Sequence, residues 1–327
     1  MTAGQGLVPF SQVQAAAGRL EGVAVRTPFL RAEELSRQVD GEVRLKLECL
    51  QRSGSFKFRG AWNYISKLPR EQLERGVITY SSGNHGQAMA MAAGLLGVPA
   101  VVVMPVTAPA VKRKGAEALG ARVILEGTTS LERRRKALEI QAEGGQHMVP
   151  PFDHPDIIAG QGTAALEAVE AWPAMDTWLV CIGGGGLGSG SAVALRALHP
   201  HARIIGVEAE GAASMRASLD AGEPVTLDRI DTIADGLAPV RPGDLTFAHV
   251  QALFNAVVTV TDDAIREATR WLLGTGKVLA EYSGAAAVAA IRSGAVDVSG
   301  RRVGVTVSGG NMDLTLLSRL LLPQGSG

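Results

Sequence analysis

Trp178-Leu179-Val180-Cys181-Ile182-Gly183-Gly184-Gly185-Gly186 is an apolar run that ends in four consecutive glycines. An apolar run of this length predicts a buried strand of a parallel sheet. Glycines directly after such a strand leave backbone N–H groups uncovered by side chains, and a nest of these groups favours a bound phosphate. The stretch therefore predicts an α/β fold that holds an anionic ligand at a strand end.

The same alternation of strand and helix recurs on both sides of this stretch. Strands are predicted at residues 43–47, 77–80, 98–104, 121–125 and 147–149, and then at 203–208, 257–260 and 302–307. Helices are predicted between most of them, including 162–172 and 192–198. Because right-handed crossovers join such units into open parallel sheets, we expect two open-sheet α/β domains with the ligand in the cleft between them.

The domain boundaries follow from where this rhythm starts and stops. The strand at 43–47 has no crossover partner in the middle of the chain, so we assign it to the later strands. The prediction is a large α/β cofactor-binding domain formed by residues 1–70 and 150–327, and a small α/β domain formed by residues 71–149.

Composition limits the partners. Lys+Arg and Asp+Glu balance at 32 each among 327 residues, so no overall charge favours nucleic acid or an anionic membrane. The basic run at 133–136 is interpreted as a solvated helix face. Cys49 and Cys181 stand in apolar runs and are expected to be reduced. Without a secretory signal or a membrane-length apolar run, we expect a cytoplasmic protein.

Lys57 is the candidate reactive residue. It stands between Phe56 and Phe58, after a Gly/Ser turn and before a helical run. Burial among apolar rings disfavours the ammonium form, and a neutral amine can attack a carbonyl and hold it as a Schiff base. The alternative is an ordinary lysine whose apolar stem is buried while its charge reaches solvent.

Two polar turns also fall at predicted strand ends. Ser81-Ser82-Gly83-Asn84-His85-Gly86 lies between a strand and a helix, where backbone N–H groups favour a carboxylate; simple helix capping is the alternative. Ser308-Gly309-Gly310-Asn311 follows the last strand. A serine hydroxyl there can donate to a ring nitrogen without forcing a proton onto it, although a plain turn is also possible.

The glycine stretch supports a rival function. Gly183-x-Gly185-x-x-Gly188 satisfies the dinucleotide fingerprint, and Glu208 ends the next strand where a ribose-binding acid is expected. A nicotinamide-dependent oxidoreductase is therefore the distant alternative, although it leaves Lys57 and the two polar turns unexplained. No His/Cys group has zinc spacing, and no Gly-x-Ser-x-Gly elbow occurs.

Taken together, these motifs resemble the serine/threonine dehydratase and serine racemase family of pyridoxal-phosphate enzymes, which have the tryptophan-synthase-β-like fold (fold type II). The resemblance runs from about Thr27 to Asp313. It is carried, in order, by Leu45-Lys46-Leu47-Glu48, Ser55-Phe56-Lys57-Phe58-Arg59-Gly60-Ala61, the Ser81–Gly86 turn, Ile158-Ala159-Gly160-Gln161-Gly162-Thr163, the glycine loop and the Ser308 turn.

The resemblance implies a role for each matched position. Lys57 would carry pyridoxal 5′-phosphate and take the Cα proton. The other cofactor-binding positions would be Phe56 against the ring, Asn84 on the 3-hydroxyl, Ser308 at the ring nitrogen, and Gly183, Gly184, Gly185, Gly186 and Leu187 on the phosphate. The substrate carboxylate would lie at Ser81, Ser82, Gly83 and His85, and Ser82 would protonate the opposite face in a racemase.

The implied function is a dehydratase (ammonia-lyase) of amino-acid metabolism. It would convert L-threonine or L-serine to the 2-oxo acid and ammonia by β-elimination, and it would be a homodimer. Serine racemase or 3-hydroxyaspartate dehydratase is the alternative. A divalent metal is doubtful, because Glu208 fits the metal site of metal-dependent members but Ser214 stands where the last acid is expected. We therefore expect no metal ligands.

Overall fold

The computed structural model describes residues 6–81, 83–108, 110–128 and 130–321. These residues form two mostly parallel sheets with helices packed on them, which confirms the predicted α/β class. The proposed boundaries of the two domains remain a prediction. None of the helices within the described ranges is both long enough and apolar enough to cross a membrane.

The larger sheet has six strands in the order β1-β2-β10-β7-β8-β9. Only β1 runs antiparallel to its neighbour, and the other pairs are parallel. The N-terminal strand β2 pairs with β10, as its assignment to the later strands required. The six strands are β1 (Phe29–Arg31), β2 (Glu42–Leu47), β7 (Thr177–Cys181), β8 (Arg203–Ala209), β9 (Ala256–Val260) and β10 (Arg302–Val307).

The smaller sheet is formed by the middle of the chain. Its four parallel strands have the order β5-β4-β3-β6. They are β3 (Val77–Tyr80), β4 (Ala100–Met104), β5 (Ala121–Leu125) and β6 (His147–Met148). The predicted strands agree with these bounds to within two residues.

Helices cover the faces of both sheets. In the first half of the chain they are α1 (Phe10–Leu20), α2 (Glu33–Gln38), α3 (Lys57–Ile65), α4 (Arg70–Arg75), α5 (Asn84–Leu95), α6 (Ala110–Ala118) and α7 (Ser130–Gly144). In the second half they are α8 (Pro155–Ala171), α9 (Gly186–Leu198), α10 (Ser214–Ala221), α11 (Asp244–Leu253), α12 (Asp262–Gly274), α13 (Tyr282–Arg292) and α14 (Leu314–Leu321).

Two helices begin earlier than their sequences indicated. The prediction began α8 at residue 162 and α9 at residue 192. The structure begins them at Pro155 and Gly186. The two helices cross so closely that a Cβ at Gly190 would collide with the Ile158 carbonyl oxygen of α8. Close packing thus explains glycines inside the helix, and His154 caps α8 through its side chain.

Helix α3 links the two halves of the structure. Phe58, Ala61 and Ile65 belong to the apolar core that covers the smaller sheet. On the other side of the helix, a Cβ at Gly160 of α8 would lie only 2.7 Å from the Arg59 carbonyl oxygen. The helix that begins with Lys57 is therefore packed between elements of both sheets.

A buried ionic cluster holds α3 at this place. We define it as Lys46, Glu48, Arg59 and Glu167. The Arg59 guanidinium donates to both oxygens of Glu48 at 2.7 and 2.8 Å, and to both oxygens of Glu167 at 2.6 and 2.9 Å. Lys46 Nζ donates to Glu167 at 2.5 Å. Two planar forks of this kind fix the direction of the Arg59 side chain and thereby of its helix.

Candidate active site

The two sheets direct their carboxyl ends toward one cavity of about 330 Å³. This volume lies within the range of small-ligand sites. Every predicted site residue that the structure describes lines it: Phe56, Lys57, Ser81, Gly83, Asn84, His85, Gly183, Gly184, Gly185, Gly186, Leu187 and Ser308. Ser82 lies outside the described residues. The cavity brings the predicted residues together, while the role of each remains a prediction.

Lys57 is held by a backbone carbonyl. Its Nζ donates to the Pro151 oxygen at 2.8 Å and lies 5.2 Å from the centre of the Phe56 ring. Enclosure by protein lowers the pKa of Lys57 to about 8. A lysine with this pKa has roughly one-tenth of its amine neutral at pH 7, far more than an exposed lysine. The amine is thus prepared for nucleophilic chemistry.

The glycine loop presents main chain to the cavity. Helix α9 begins at Gly186, and its N-cap residue, Gly185, has no side chain with which to cap it. Gly185 has a φ of +93°, which favours glycine. A Cβ at Gly184 would collide with the Phe152 ring. These positions exclude side chains, so the helix N-terminus and its N–H groups remain available to an anion.

The turn at residues 81–86 leads from β3 into α5. Ser81 Oγ accepts a hydrogen bond from the Gly83 N–H at 3.3 Å. The His85 ring has Nε2 3.1 Å from the Val149 carbonyl oxygen. Because that oxygen only accepts, Nε2 carries the proton. Burial and the nearby Lys57 charge lower the pKa of His85 to about 3, so the ring is neutral. His85 therefore has no charge to offer a carboxylate, although its backbone N–H does lie at the helix start.

A hydroxyl and a thiol lie together in the cavity at the ends of two neighbouring strands, β10 and β7. Ser308 is buried directly after β10, and its backbone carbonyl accepts from the Phe56 N–H at 3.1 Å. Its side chain contacts the Cys181 thiol, which ends β7. Burial raises the pKa of Cys181 to about 11, so the thiol remains protonated at neutral pH. Both neighbours of a ligand at this point are neutral.

Asn84 is part of a hydrogen-bonded series of amides and a carboxylate, of which Asn84 and Glu281 line the cavity. Its Nδ2 donates to Glu281 Oε1 at 2.5 Å, and its Oδ1 accepts from Asn311 Nδ2 at 2.8 Å. Asn311 Nδ2 also donates to the Ser53 carbonyl at 2.8 Å. Glu281 is buried and lines the cavity. Sequence reasoning missed Glu281, although an isolated acid between apolar residues and a small-residue helix was a usable signal.

The linking segment, residues 149–154, joins the smaller sheet to α8. The Val149 carbonyl accepts from Thr79 Oγ1 at 3.0 Å, and the Pro151 carbonyl accepts from Lys57. The Phe152 ring packs on the glycine loop. Asp153 accepts from the Leu245 and Thr246 N–H groups at 3.1 Å, which caps α11. Successive residues of one segment thus contact the smaller sheet, the amine, the glycine loop and the start of α11.

The basic run at 133–136 is only partly a solvated face. Arg135 is 71% exposed and pairs with Glu139, as expected. Arg133 and Arg134 line the cavity instead. Arg133 Nη1 donates to the Thr128 carbonyl at 3.1 Å, while its buried Nε has no hydrogen-bond partner among the described residues. The interpretation as a solvated face therefore fails for Arg133, which is half-buried at the cavity, whereas Arg134 is exposed at its rim.

Glu208 serves a structural purpose in this structure. Its two carboxylate oxygens accept from the Met215 and Arg216 N–H groups, each at 2.8 Å, so it caps α10. Burial raises its pKa to about 7. Ser214 Oγ beside it is buried and has no hydrogen-bond partner within the described part of the chain. A carboxylate committed in this way is poorly placed for a ribose, and the described residues contain no group of three His, Cys, Asp or Glu that could hold a metal.

The chain resembles known proteins over most of its length. Residues 20–309 match a family described as "Pyridoxal-phosphate dependent enzyme". An L-threonine ammonia-lyase of Thermotoga maritima is 42% identical over 315 residues, covering 96% of this chain and 78% of that protein. An L-threo-3-hydroxyaspartate ammonia-lyase of a Pseudomonas species is 39% identical and covers 96% of this chain and 99% of that protein.

Among solved structures, maize serine racemase has the same fold. It superposes with a TM-score of 0.93 at 38% identity, covering 96% of this chain and 97% of that one. The relatives thus include a lyase for threonine, a lyase for an acidic hydroxy-amino acid, and a racemase.

Proposed function

The chain belongs to the family of pyridoxal-phosphate-dependent enzymes, and we propose that it is an ammonia-lyase for a β-hydroxy-amino acid, L-threonine or L-serine. The product would be the 2-oxo acid and ammonia. The observation that carries the proposal is the position of Lys57, whose enclosed amine shares one cavity with an uncapped glycine loop and the turn at residues 81–86.

The residues of the cavity fit pyridoxal phosphate. Gly183, Gly184, Gly185 and Gly186 together with Leu187 offer main-chain N–H groups and a helix N-terminus to the phosphate. Lys57 offers a partly neutral amine to the aldehyde. Ser308 offers a hydroxyl, without charge, to the ring nitrogen. The bound cofactor supplies an electron sink for the bond to Cα that breaks.

The protein would bind and orient the substrate, and it would move a proton. The turn at residues 81–86 would hold the substrate carboxylate through Ser81 and the backbone N–H groups at the start of α5. Lys57 Nζ, released from its covalent role by the substrate amine, would take the Cα proton. The Pro151 carbonyl keeps Nζ in place while it does so. The β-hydroxyl would then leave with a proton as water, and hydrolysis of the released enamine by a second water would give the 2-oxo acid and ammonia.

The proposal is tested with purified protein, pyridoxal phosphate and L-threonine or L-serine. We expect 2-oxo acid and ammonia in equal amounts, and a borohydride-stable cofactor adduct on Lys57 by peptide mass spectrometry. Lys57→Ala should abolish both. Chiral chromatography of the remaining serine separates lyase from racemase, because a racemase accumulates the D-enantiomer. Absence of the Lys57 adduct and of oxo acid would overturn the proposal.

A second candidate substrate is an acidic one, 3-hydroxyaspartate. Arg133 and Arg134 are the observation that favours it, since they line the cavity and Arg133 Nε lacks a partner. A guanidinium suits a second carboxylate through its planar fork. Burial lowers the pKa of Arg133, so binding an anion there would relieve the cost of a buried cation.

The comparison that separates the two substrates is kcat/KM for L-threo-3-hydroxyaspartate against L-threonine. If the acidic substrate is preferred, Arg133→Met should lower its kcat/KM about tenfold or more and leave threonine nearly unchanged. Arg135→Met, on the solvent side of α7, is the matched control. Equal effects of Arg133→Met on both substrates would exclude this role.

We also propose that the protein is a cytoplasmic homodimer whose only other partners are its small-molecule substrates. The balanced charge supports the exclusion of nucleic acid and anionic membranes as partners. No helix among the described residues could cross a membrane. Sedimentation velocity at micromolar protein should give twice the chain mass of 34.0 kDa.

A further inference from the structure

The amide of Asn84 is fixed in one orientation by its two neighbours. Glu281 Oε1 is a carboxylate oxygen and only accepts, so Asn84 must turn its Nδ2 toward it, at 2.5 Å. Asn311 Nδ2 lies 2.8 Å from Asn84 Oδ1 and only donates. A flipped Asn84 would place two acceptors against each other at Glu281 and two donors at Asn311, each an unmade hydrogen bond.

The orientation of Asn311 is fixed in turn. Its Nδ2 donates one proton to Asn84 Oδ1 and the other to the Ser53 carbonyl, at 2.8 Å each. A backbone carbonyl has no orientation to choose, so it sets the direction of the whole chain from Ser53 through Asn311 and Asn84 to Glu281. We call this series the amide chain.

Two glycines provide the room for the amide chain. Gly54 has a φ of +72°, and a Cβ there would collide with Asn311 Oδ1. A Cβ at Gly309 would collide with Glu281 Oε1 and lie 3.1 Å from Asn84 Nδ2. Gly54 belongs to the turn before Lys57, and Gly309 follows Ser308. Turns that carry the predicted reactive groups are therefore shaped around these three side chains.

The second proton of Asn84 Nδ2 is the remaining donor of the amide chain. Asn84 lines the cavity together with Lys57 and Glu281. With one Nδ2 proton given to Glu281 and Oδ1 occupied by Asn311, Asn84 can offer a ligand an N–H donor. An N–H donor favours an ionised oxygen over a protonated hydroxyl, which would need an acceptor for its proton.

We propose that Glu281 and Asn311 are positioning residues that make Asn84 an obligatory hydrogen-bond donor to the 3-hydroxyl oxygen of pyridoxal phosphate (the ring oxygen below). The cofactor would then be bound with this oxygen in its ionised form. The inference rests on the proposed function, since it needs pyridoxal phosphate in this cavity. It assigns to two side chains a role that they would exert through Asn84.

The test exchanges the carboxylate and the amide at the two ends. The double variant Glu281→Gln/Asn311→Asp keeps the net charge and nearly the same side-chain shapes, but it presents an acceptor at 311 and a possible donor at 281. Asn84 should then turn its Oδ1 to the cavity. Two measurements on protein freed of cofactor follow: the dissociation constant of pyridoxal 5′-phosphate, and that of its 3-deoxy analogue, which lacks the ring oxygen.

In the wild type we expect pyridoxal phosphate to bind more tightly than the deoxy analogue. In the double variant this ratio of affinities should fall about tenfold, because one charge-assisted hydrogen bond is lost. The absorption band of bound pyridoxal phosphate should also move to shorter wavelength, since the ring oxygen keeps its proton. Glu34→Gln is the matched control, because Glu34 accepts from Trp271 Nε1 at 2.8 Å outside the cavity.

The outcomes separate this inference from the proposed function. An unchanged affinity ratio and spectrum in the double variant overturns the inference while leaving the lyase proposal intact. Equal weakening of both cofactor forms also overturns it, since the two residues would then only shape the site. A wild type that binds neither form overturns both. If the double variant does not fold, Asn311→Asp alone should lower the ratio at least threefold, and an unchanged ratio there decides against the inference.

Discussion

The Nζ of Lys57 donates a hydrogen bond to the carbonyl oxygen of Pro151, 94 positions later in the chain, at 2.8 Å. Lys57 begins α3, while Pro151 belongs to the linking segment that leaves the smaller sheet. The amine is therefore positioned by a backbone atom, whose place depends on the path of the chain rather than on the identity of the side chain at residue 151.

Replacing Lys57 should stabilise the protein without its cofactor. At pH 7 native Lys57, with a pKa of about 8, is mostly a buried ammonium, whereas an unfolded lysine titrates near 10.5. This difference costs up to about 3 kcal/mol, and the lost bond to Pro151 offsets about 1 kcal/mol of the gain. We expect Lys57→Met to raise the free energy of unfolding in urea by about 1–2 kcal/mol at pH 7.

The pH dependence gives this prediction its sign. The native pKa is the lower one, so the unfolded chain binds more protons between pH 8 and 10.5, and wild-type stability rises through that window. The advantage of Lys57→Met should therefore shrink across the window and vanish above it. Lys114→Met, at an exposed position, is the control. An advantage that stays constant with pH would contradict the explanation.

A methyl group in the glycine loop should weaken cofactor binding. The Cβ of Gly184→Ala would collide with the Phe152 ring, so the loop has to move away from its N–H geometry. We expect the dissociation constant of pyridoxal phosphate to rise about tenfold or more, measured by fluorescence titration. Phe152→Ala in the same chain should restore part of the affinity.

Gly18→Ala serves as the control for that experiment. Nothing lies within 4 Å of a Cβ at Gly18, which is inside α1. Alanine there should leave the affinity unchanged and stabilise the helix by up to about 1 kcal/mol. If Gly184→Ala binds as tightly as Gly18→Ala, the phosphate does not lie at this loop.

Breaking the ionic cluster should lower the free energy of unfolding. Arg59→Met removes the guanidinium that pairs with both Glu48 and Glu167 and leaves Lys46 as the remaining cation of the cluster, and a broken buried pair costs about 3–5 kcal/mol. Urea unfolding measures this loss. Arg59→Lys keeps the charge but not the fork, so we expect a smaller loss. A mutant as stable as the wild type would show that the cluster contributes only specificity.

The prediction that this chain binds no divalent metal can be tested by placing an acidic residue at position 214. We expect treatment with EDTA to leave the unfolding temperature of the wild type unchanged, because Glu208 is committed to the N–H groups of Met215 and Arg216. Ser214→Asp adds a second carboxylate beside Glu208. That variant should lose stability alone and regain it in millimolar Mg²⁺. A wild type that responds to EDTA would refute the prediction.

The motifs that are contiguous in sequence were predictable, and the contacts between distant segments were not. The glycine loop and Lys57 can be recognised from the sequence alone, because four consecutive glycines and a lysine between two phenylalanines are unusual local patterns. Glu281 meets Asn84 across 197 positions, and no local pattern pairs them. Which side of α7 faces the cavity depends on how the smaller sheet is oriented. The charges of the basic run alone therefore do not predict that Arg133 lies at the cavity. The bounds of β4 and β7 were predicted to within two residues because these buried parallel strands are mostly apolar runs, whereas the short antiparallel β1 was not predicted.

The linking segment also connects the smaller sheet to α11. Its Val149 end is fixed to β3 and its Asp153 end to α11, with Pro151 and Phe152 between them. If the smaller sheet swings, the Pro151 oxygen and the Phe152 ring travel together, and with them the restraints on Lys57 and on the glycine loop. If Lys57 and the glycine loop hold the cofactor as proposed, one displacement of this segment would change the contacts at both of its ends together.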